Sequence, residues 1–147
     1  MEGFSVDKSL VEGDSMFDPT TKVLVVDDMM TMRKIVVKAC KDIGFSDIVE
    51  AADGQKAWEA LQAATSPIGL VISDWNMPNC TGLDLLKRVR SDGRYKTLPF
   101  VLLTAESEGH QVAEAVKSGV DNYIVKPFTP ELLQRKLEET HKKTITR

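Results

Sequence analysis

What most constrains this chain is a set of five short apolar runs separated by longer stretches with helical spacing. The runs are KVLVV (22–26), DIVEA (47–51), LVISD (70–74), FVLLT (100–104) and NYIV (122–125). Several are apolar without alternation, so both faces of the strand need cover, as in a parallel sheet sandwiched between helices. The intervening stretches 31–43, 55–63, 83–89, 110–117 and 131–142 repeat apolar residues at helical intervals. In the first of these, Ile35, Val36, Ala39, Cys40 and Ile43 are expected on one core-facing side. Gly44 and Gly119 stand where helix C-caps belong, and Pro130 where the last helix opens. Five βα units with right-handed crossovers predict an α/β, doubly wound (βα)5 domain with helices on both sides of one five-stranded parallel sheet.

Composition agrees with a single such domain. The 147 residues are 42% hydrophobic, enough for a real core. The net charge of -3, from 22 acids and 19 bases, argues against a strongly basic nucleic-acid surface. The longest apolar run, PFVLLTA, is far shorter than the roughly 18 to 20 residues of a membrane span, and no export signal is visible. A soluble, cytoplasmic protein without membrane insertion is expected. Cys40 and Cys80 lack metal-site or scaffold spacing and read as free thiols. Residues 1–20 hold five acids and one base, a net -4, which leaves 18 bases and 17 acids, or +1, for the rest. They are expected to form a flexible acidic tail, with one domain over residues 21–147.

In an open α/β sheet the ligand site lies beyond the carboxyl ends of the strands. Here the first strand ends in Asp27-Asp28, the third in Asp74, the fourth in Thr104 and the fifth in Lys126-Pro127. A single strand-end Asp is commonly a turn or helix cap. If Asp27, Asp28 and Asp74 converge, however, their mutual repulsion calls for a cation or for protons. Oxygen-only ligands in an open cleft suit Mg²⁺ better than caged Ca²⁺, and the absence of His and Cys ligands argues against zinc. Three carboxylates, a divalent cation and Lys126 together cancel in charge. Such a site suits attack of a carboxylate on phosphorus, with the cation and lysine stabilising the equatorial oxygens and Thr104 donating a hydroxyl.

The segments VVDD, SDWNMPNCTGLDLL, TAE and YIVKPF occur in the order and spacing of bacterial response-regulator receiver domains, most nearly those of the CheY-like chemotaxis regulators. The resemblance covers about residues 20–143. It implies a flavodoxin-like sheet of order 2-1-3-4-5, an order for which these chemotaxis regulators are themselves a standard example of the switch-point rule. It implies that Asp74 is the phosphoacceptor, served by a histidine kinase or a small phosphodonor. Asp28, Asp74 and the Asn76 main-chain carbonyl would hold Mg²⁺, and Asp27 would reach it through water. Lys126 would bind the phosphoryl group, with its bond to Pro127 cis. Thr104 and Tyr123 match the switch pair, and Asn76 and Glu106 border the path of the dephosphorylating water. Small or polar groups at these two positions imply a short-lived phosphoryl state. The partner face would comprise Glu108, Val112, Val116, Tyr123 and Lys136. Where chemotaxis regulators carry a lysine pair after TAE, this chain has Glu108 and Gly109, while Lys136 keeps a third lysine. Implied partners are a CheA-like kinase, a flagellar motor switch or other output protein, and a phosphatase, with the regulator itself a monomer.

Plainer roles are expected elsewhere. Met77 reads as loop packing and Trp58 as core, while His110 and His141 are expected on solvent-facing helix surfaces. Lys87, Arg88, Arg90, Arg94 and Lys96 read as a solvated helix end. Few residues follow the last helix, so output through the domain's own surface is expected. A phosphate sink, or a regulator of a non-flagellar pathway, is the alternative within this class. A haloacid-dehalogenase-like phosphatase needs a second Asp two residues after its nucleophile, yet Asn76 follows Asp74 and Met29 follows Asp27. Flavin binding is disfavoured because Asp27 and Asp28 would repel its phosphate.

Overall fold

The structure, a computed structural model, describes residues 16–105 and 109–146. Its elements alternate as β1 (Lys22–Val26), α1 (Met30–Ile43), β2 (Asp47–Ala51), α2 (Gly54–Ala63), β3 (Ile68–Asp74), α3 (Gly82–Ser91), β4 (Phe100–Ala105), α4 (Gly109–Lys117), β5 (Asn122–Lys126) and α5 (Pro130–Ile145). The strands form one parallel sheet in the order β2-β1-β3-β4-β5. This is the doubly wound order that the family resemblance implied.

The unbroken apolar character of the strands has a direct cause in packing. Val23 and Val25 of β1, Leu70 and Ile72 of β3 and Val101 and Leu103 of β4 pack with Val36 and Cys40 of α1 and Leu133 and Leu137 of α5. Leu24, Val26, Val71, Phe100 and Leu102 occupy the opposite face with Trp58 and Leu61 of α2, Leu85, Leu86 and Val89 of α3, and Ala115 of α4. Alternate residues thus enter two separate cores, and each buried side chain of this size adds about 1.5 to 3 kcal/mol. Helix ends follow their local chemistry. Asp53 caps α2 through the Lys56 N–H, Thr81 and Asp84 form a reciprocal capping box on α3, and Thr129 with Pro130 starts α5. Gly44 and Gly119 take positive φ at the ends of α1 and α4.

Several expectations need correction. Strand β3 begins at Ile68, two residues early, because Gly69 hides the strand pattern. Register shifts there between Lys22 and Val23, and a Cβ on Gly69 would lie 2.9 Å from Thr21 Cγ2. Ile35 does not face the core: it is 50% exposed, and Val37 is buried instead. Residues 1–15 lie outside the described residues, but the end of the expected tail is packed. Phe17 is only 8% exposed, within the α1–α5 core, and Asp18 accepts hydrogen bonds from the Thr20 N–H and hydroxyl. His110 is exposed as expected. His141 is not: it is half-buried on α5, and its ring sits edge-on to Phe17 with centroids 4.9 Å apart. Nor is the basic run simply solvated. Arg90 donates to Gly119 O and Leu98 O and pairs at 2.9 Å with Asp121, which also accepts the Phe100 N–H. Arg88 lies over the Trp58 ring.

Both cysteines are free thiols. Cys40 is fully buried, and burial pushes its thiol up to about 12. Alkylation of the native protein at mildly alkaline pH should therefore modify Cys80 and spare Cys40 until denaturant is added. Peptide mass mapping checks this, and equal labelling of both thiols in the native state would contradict the packing of α1.

Candidate functional site

The strand order brings the strand-end residues together. Val26 of β1 pairs with Ser73 of β3, so Asp27 and Asp74 leave neighbouring strands side by side. Asp74 pairs with Leu103, and Ala105 with Lys126, which continues the rim across β4 to β5. One carboxylate oxygen from each of Asp27, Asp28 and Asp74 lies within 4.8 Å of the others. Lys126 Nζ donates to Asp74 Oδ1 at 2.7 Å, across the mouth of the sheet.

Asp74 is 6% exposed and Asp27 1%, whereas Asp28 faces solvent. Asp27 Oδ1 accepts the Met29 N–H, while its Oδ2 is buried without a hydrogen-bond partner among the described residues. Burial raises the Asp27 carboxyl above its usual range, the charges of Asp74 and Asp28 push the same way, and the Met29 N–H and Lys126 oppose them. A cation in the cleft would reverse that balance, because it favours the ionised form of each carboxylate.

The backbone around Asp74 is held tightly. The Trp75 N–H donates to Leu103 O, and Trp75 O accepts the Gly82 N–H, both at 2.9 Å. Trp75 and Met77 are buried, so the plain packing role expected of Met77 fits, and Trp58 is core as expected. Asn76, the residue two beyond Asp74, is exposed. Thr104 is buried, with its hydroxyl donating to Ala105 O at 3.3 Å. The Lys126-Pro127 bond is cis. Tyr123 is half-buried, with the Lys136 ammonium 5.6 Å from its ring centre. On α4, Val112 is half-buried and Val116 exposed. Glu106 and Glu108 lie outside the described residues. Sequence reasoning missed Arg33, which donates to the Asp27 main-chain carbonyl at 2.8 Å.

The response regulator receiver domain family matches residues 23–138. The chemotaxis protein CheY1 of Helicobacter pylori is 50% identical over 117 residues, spanning 80% of this chain and 94% of its own length. This chain is a receiver domain of the CheY type. The solved structure of the chemotaxis protein CheY4 of Vibrio cholerae agrees with this receiver at a TM-score of 0.75 and 36% identity, covering 82% of this chain and 98% of its own. The receiver domain of the sensor histidine kinase PA1611 of Pseudomonas aeruginosa, solved with a magnesium ion in its active-site cleft, shares the fold. Its TM-score is 0.73 at 20% identity, over 84% of this chain and 98% of its own. As a receiver, the chain is a response regulator of two-component signalling in chemotaxis rather than an enzyme with a separate substrate. Among its described residues no helix is long and apolar enough to cross a membrane.

Proposed function

We propose that this receiver takes a phosphoryl group onto Asp74 from a CheA-like histidine kinase in the cytoplasm and then signals by binding an output protein. The observation that carries the reading is the 2.7 Å contact of Lys126 with Asp74 inside a three-carboxylate cleft. The cleft fits Mg²⁺: its donors are all oxygens, and the buried Asp27 Oδ2 has no hydrogen-bond partner among the described residues. Asp28, Asp74 and the Asn76 carbonyl would hold the ion, with Asp27 reached through water. When bound, Mg²⁺ offsets the carboxylate charge and that of the incoming phosphoryl oxygens.

The remaining chemistry belongs to the chain. Asp74 is the nucleophile, held by a strand end whose backbone is fixed on both sides. Lys126 orients the carboxylate and then receives phosphoryl oxygen charge. The Thr104 hydroxyl gives up its contact with the neighbouring carbonyl and turns to the phosphoryl group. Tyr123 moves into the space that Thr104 leaves, favouring an arrangement the protein already samples. Asn76 and Glu106 flank the approach of the hydrolytic water.

The output face of the reading is Val112, Val116, Tyr123 and Lys136 with Glu108. Glu108 and Gly109, in place of two lysines, change the local charge from +2 to -1, which penalises an acidic partner peptide. Beryllofluoride-activated protein should therefore bind a flagellar switch peptide weakly. Glu108→Lys should strengthen that binding, most of all at low salt. Full-strength binding unaffected by Glu108→Lys would show the charge argument to be wrong. The same replacement favours a second reading, a regulator that serves another pathway or drains phosphoryl groups from a shared kinase.

A further inference from the structure

Beside the acidic cleft lies an ion network that the phosphoacceptor reading does not use. Arg33, in the second turn of α1, donates through Nε to Glu50 Oε1 at 2.9 Å and through Nη1 to the Asp27 carbonyl at 2.8 Å. Its side chain is only 14% exposed. Glu50, near the end of β2, also accepts the Lys34 ammonium on Oε2 at 2.8 Å. The Lys34 hydrogen bond, joined by that of Arg33 and opposed by burial, holds the Glu50 carboxyl below its usual range. Glu50 is therefore an ionised anchor, and Arg33 is the arm that reaches from it to the turn after β1.

The atom this arm reaches decides what it does. The Asp27 carbonyl belongs to the peptide that joins Asp27 to Asp28, so fixing that oxygen fixes the plane from which both side chains depart. The rest of Asp27 is also engaged: its N–H donates to Ala51 O at 3.1 Å and its Oδ1 accepts the Met29 N–H at 2.9 Å. Among the described residues only Oδ2 remains, buried and unpartnered. Every other polar group of Asp27 is thus committed, and the network reserves one carboxylate oxygen of this residue for a ligand. A guanidinium suits the task because its planar fork can serve two acceptors at a fixed angle, which an ammonium cannot do with the same rigidity.

We propose that Arg33 is a positioning residue of the cleft, bridging Glu50 to the Asp27 carbonyl so that Asp27 and Asp28 are presented to a divalent cation. The inference rests on the Mg²⁺ reading given above. Two effects of Arg33 on cation binding have opposite signs. Its charge repels the cation, so charge alone makes Arg33→Ala bind Mg²⁺ more tightly. Its bridge orders the ligands, so positioning makes Arg33→Ala bind more weakly. The cleft is open to solvent at Asp28, which screens the charge effect, whereas outer-shell partners of metal ligands commonly contribute roughly 10- to 100-fold in affinity. The bridge should win.

The test is a calorimetric Mg²⁺ titration of the full chain, with tryptophan fluorescence read in parallel and circular dichroism confirming the fold. Arg33→Ala should bind Mg²⁺ about tenfold more weakly than the wild type. Arg33→Lys, which keeps the charge and can still reach one acceptor, should recover part of the loss. If Arg33→Ala fails to fold, Arg33→Lys decides instead: it keeps the charge but cannot hold both acceptors with the same rigidity, so binding weaker than wild type reports the lost bridge. Wild-type or tighter Mg²⁺ affinity in Arg33→Ala, or in Arg33→Lys where that is the folded variant, overturns the inference alone. A wild-type protein that does not respond to Mg²⁺ overturns the metal reading and the inference with it.

Discussion

Lys126→Ala is expected to slow phosphoryl transfer from acetyl phosphate to Asp74 by roughly 100-fold or more, the usual effect of removing one charge-stabilising donor from a reaction centre. The ammonium lies 2.7 Å from Asp74 Oδ1, with the two side chains 26% and 8% exposed. At that burial its interaction with developing negative charge is screened far less than at the surface. Mg²⁺ binding should respond the other way. Removing a cation from beside three carboxylates leaves them more negative, so Mg²⁺ affinity should hold or rise. Stopped-flow phosphorylation rates set beside Mg²⁺ titrations separate these outcomes. Transfer at the wild-type rate would remove Lys126 from the chemistry, and joint loss of transfer and Mg²⁺ binding would point to a disordered cleft instead.

Gly82→Ala should be the most damaging one-atom change near the site. A Cβ there would stand 2.3 Å from the Asp74 carbonyl oxygen, 2.8 Å from Leu102 Cδ2 and 3.1 Å from Trp75 Cα. Two of these neighbours are backbone atoms of the segment that carries Asp74, so relief requires moving either the end of β3 or the start of α3. Overpacking of this kind costs on the order of 3 kcal/mol. The better helix propensity of Ala returns at most about 1 kcal/mol. The clash wins, and the Tm should fall by several degrees, roughly 5 to 10 °C. The Gly82 N–H bond to Trp75 O is expected to lengthen as well, so phosphorylation should weaken along with stability. A Tm within a degree of the wild type would show that the β3–α3 turn yields more easily than this contact allows.

Most strands were legible because burial on both faces leaves a simple signature, an unbroken apolar run, and because four of the five runs end in, or lead directly into, a charged or hydroxyl residue. That is why the convergence of Asp27, Asp28, Asp74 and Lys126 follows once the sheet order is known. Departures arose where one residue carried two messages. Gly69 offers no side chain to mark a strand, yet β3 runs through it, and Thr21 Cγ2 stands 2.9 Å from where its Cβ would be. Thr140, which no apolar spacing marks, is fully buried on α5, its hydroxyl bonded back to Lys136 O at 2.7 Å. Arg90 sits in a basic run, but Asp121, 31 residues away, draws it inward. Arg33 was invisible for a similar reason. A single arginine on a helix has no pattern, and its partners are a glutamate 17 residues distant and a main-chain oxygen. Long-range pairs of this kind become visible only when the fold has placed their elements side by side.

Asp74 as the phosphoryl acceptor is tested most directly by site mapping after exposure to acetyl phosphate and Mg²⁺. Borohydride trapping of the acyl phosphate followed by peptide mass analysis identifies the modified carboxylate. The expected result is a single modification, at Asp74, that requires Mg²⁺ and is absent from Asp74→Asn. A folded Asp74→Asn protein that gains a phosphoryl group to the wild-type extent, or a wild-type protein modified at Asp27 or Asp28 instead, would contradict it.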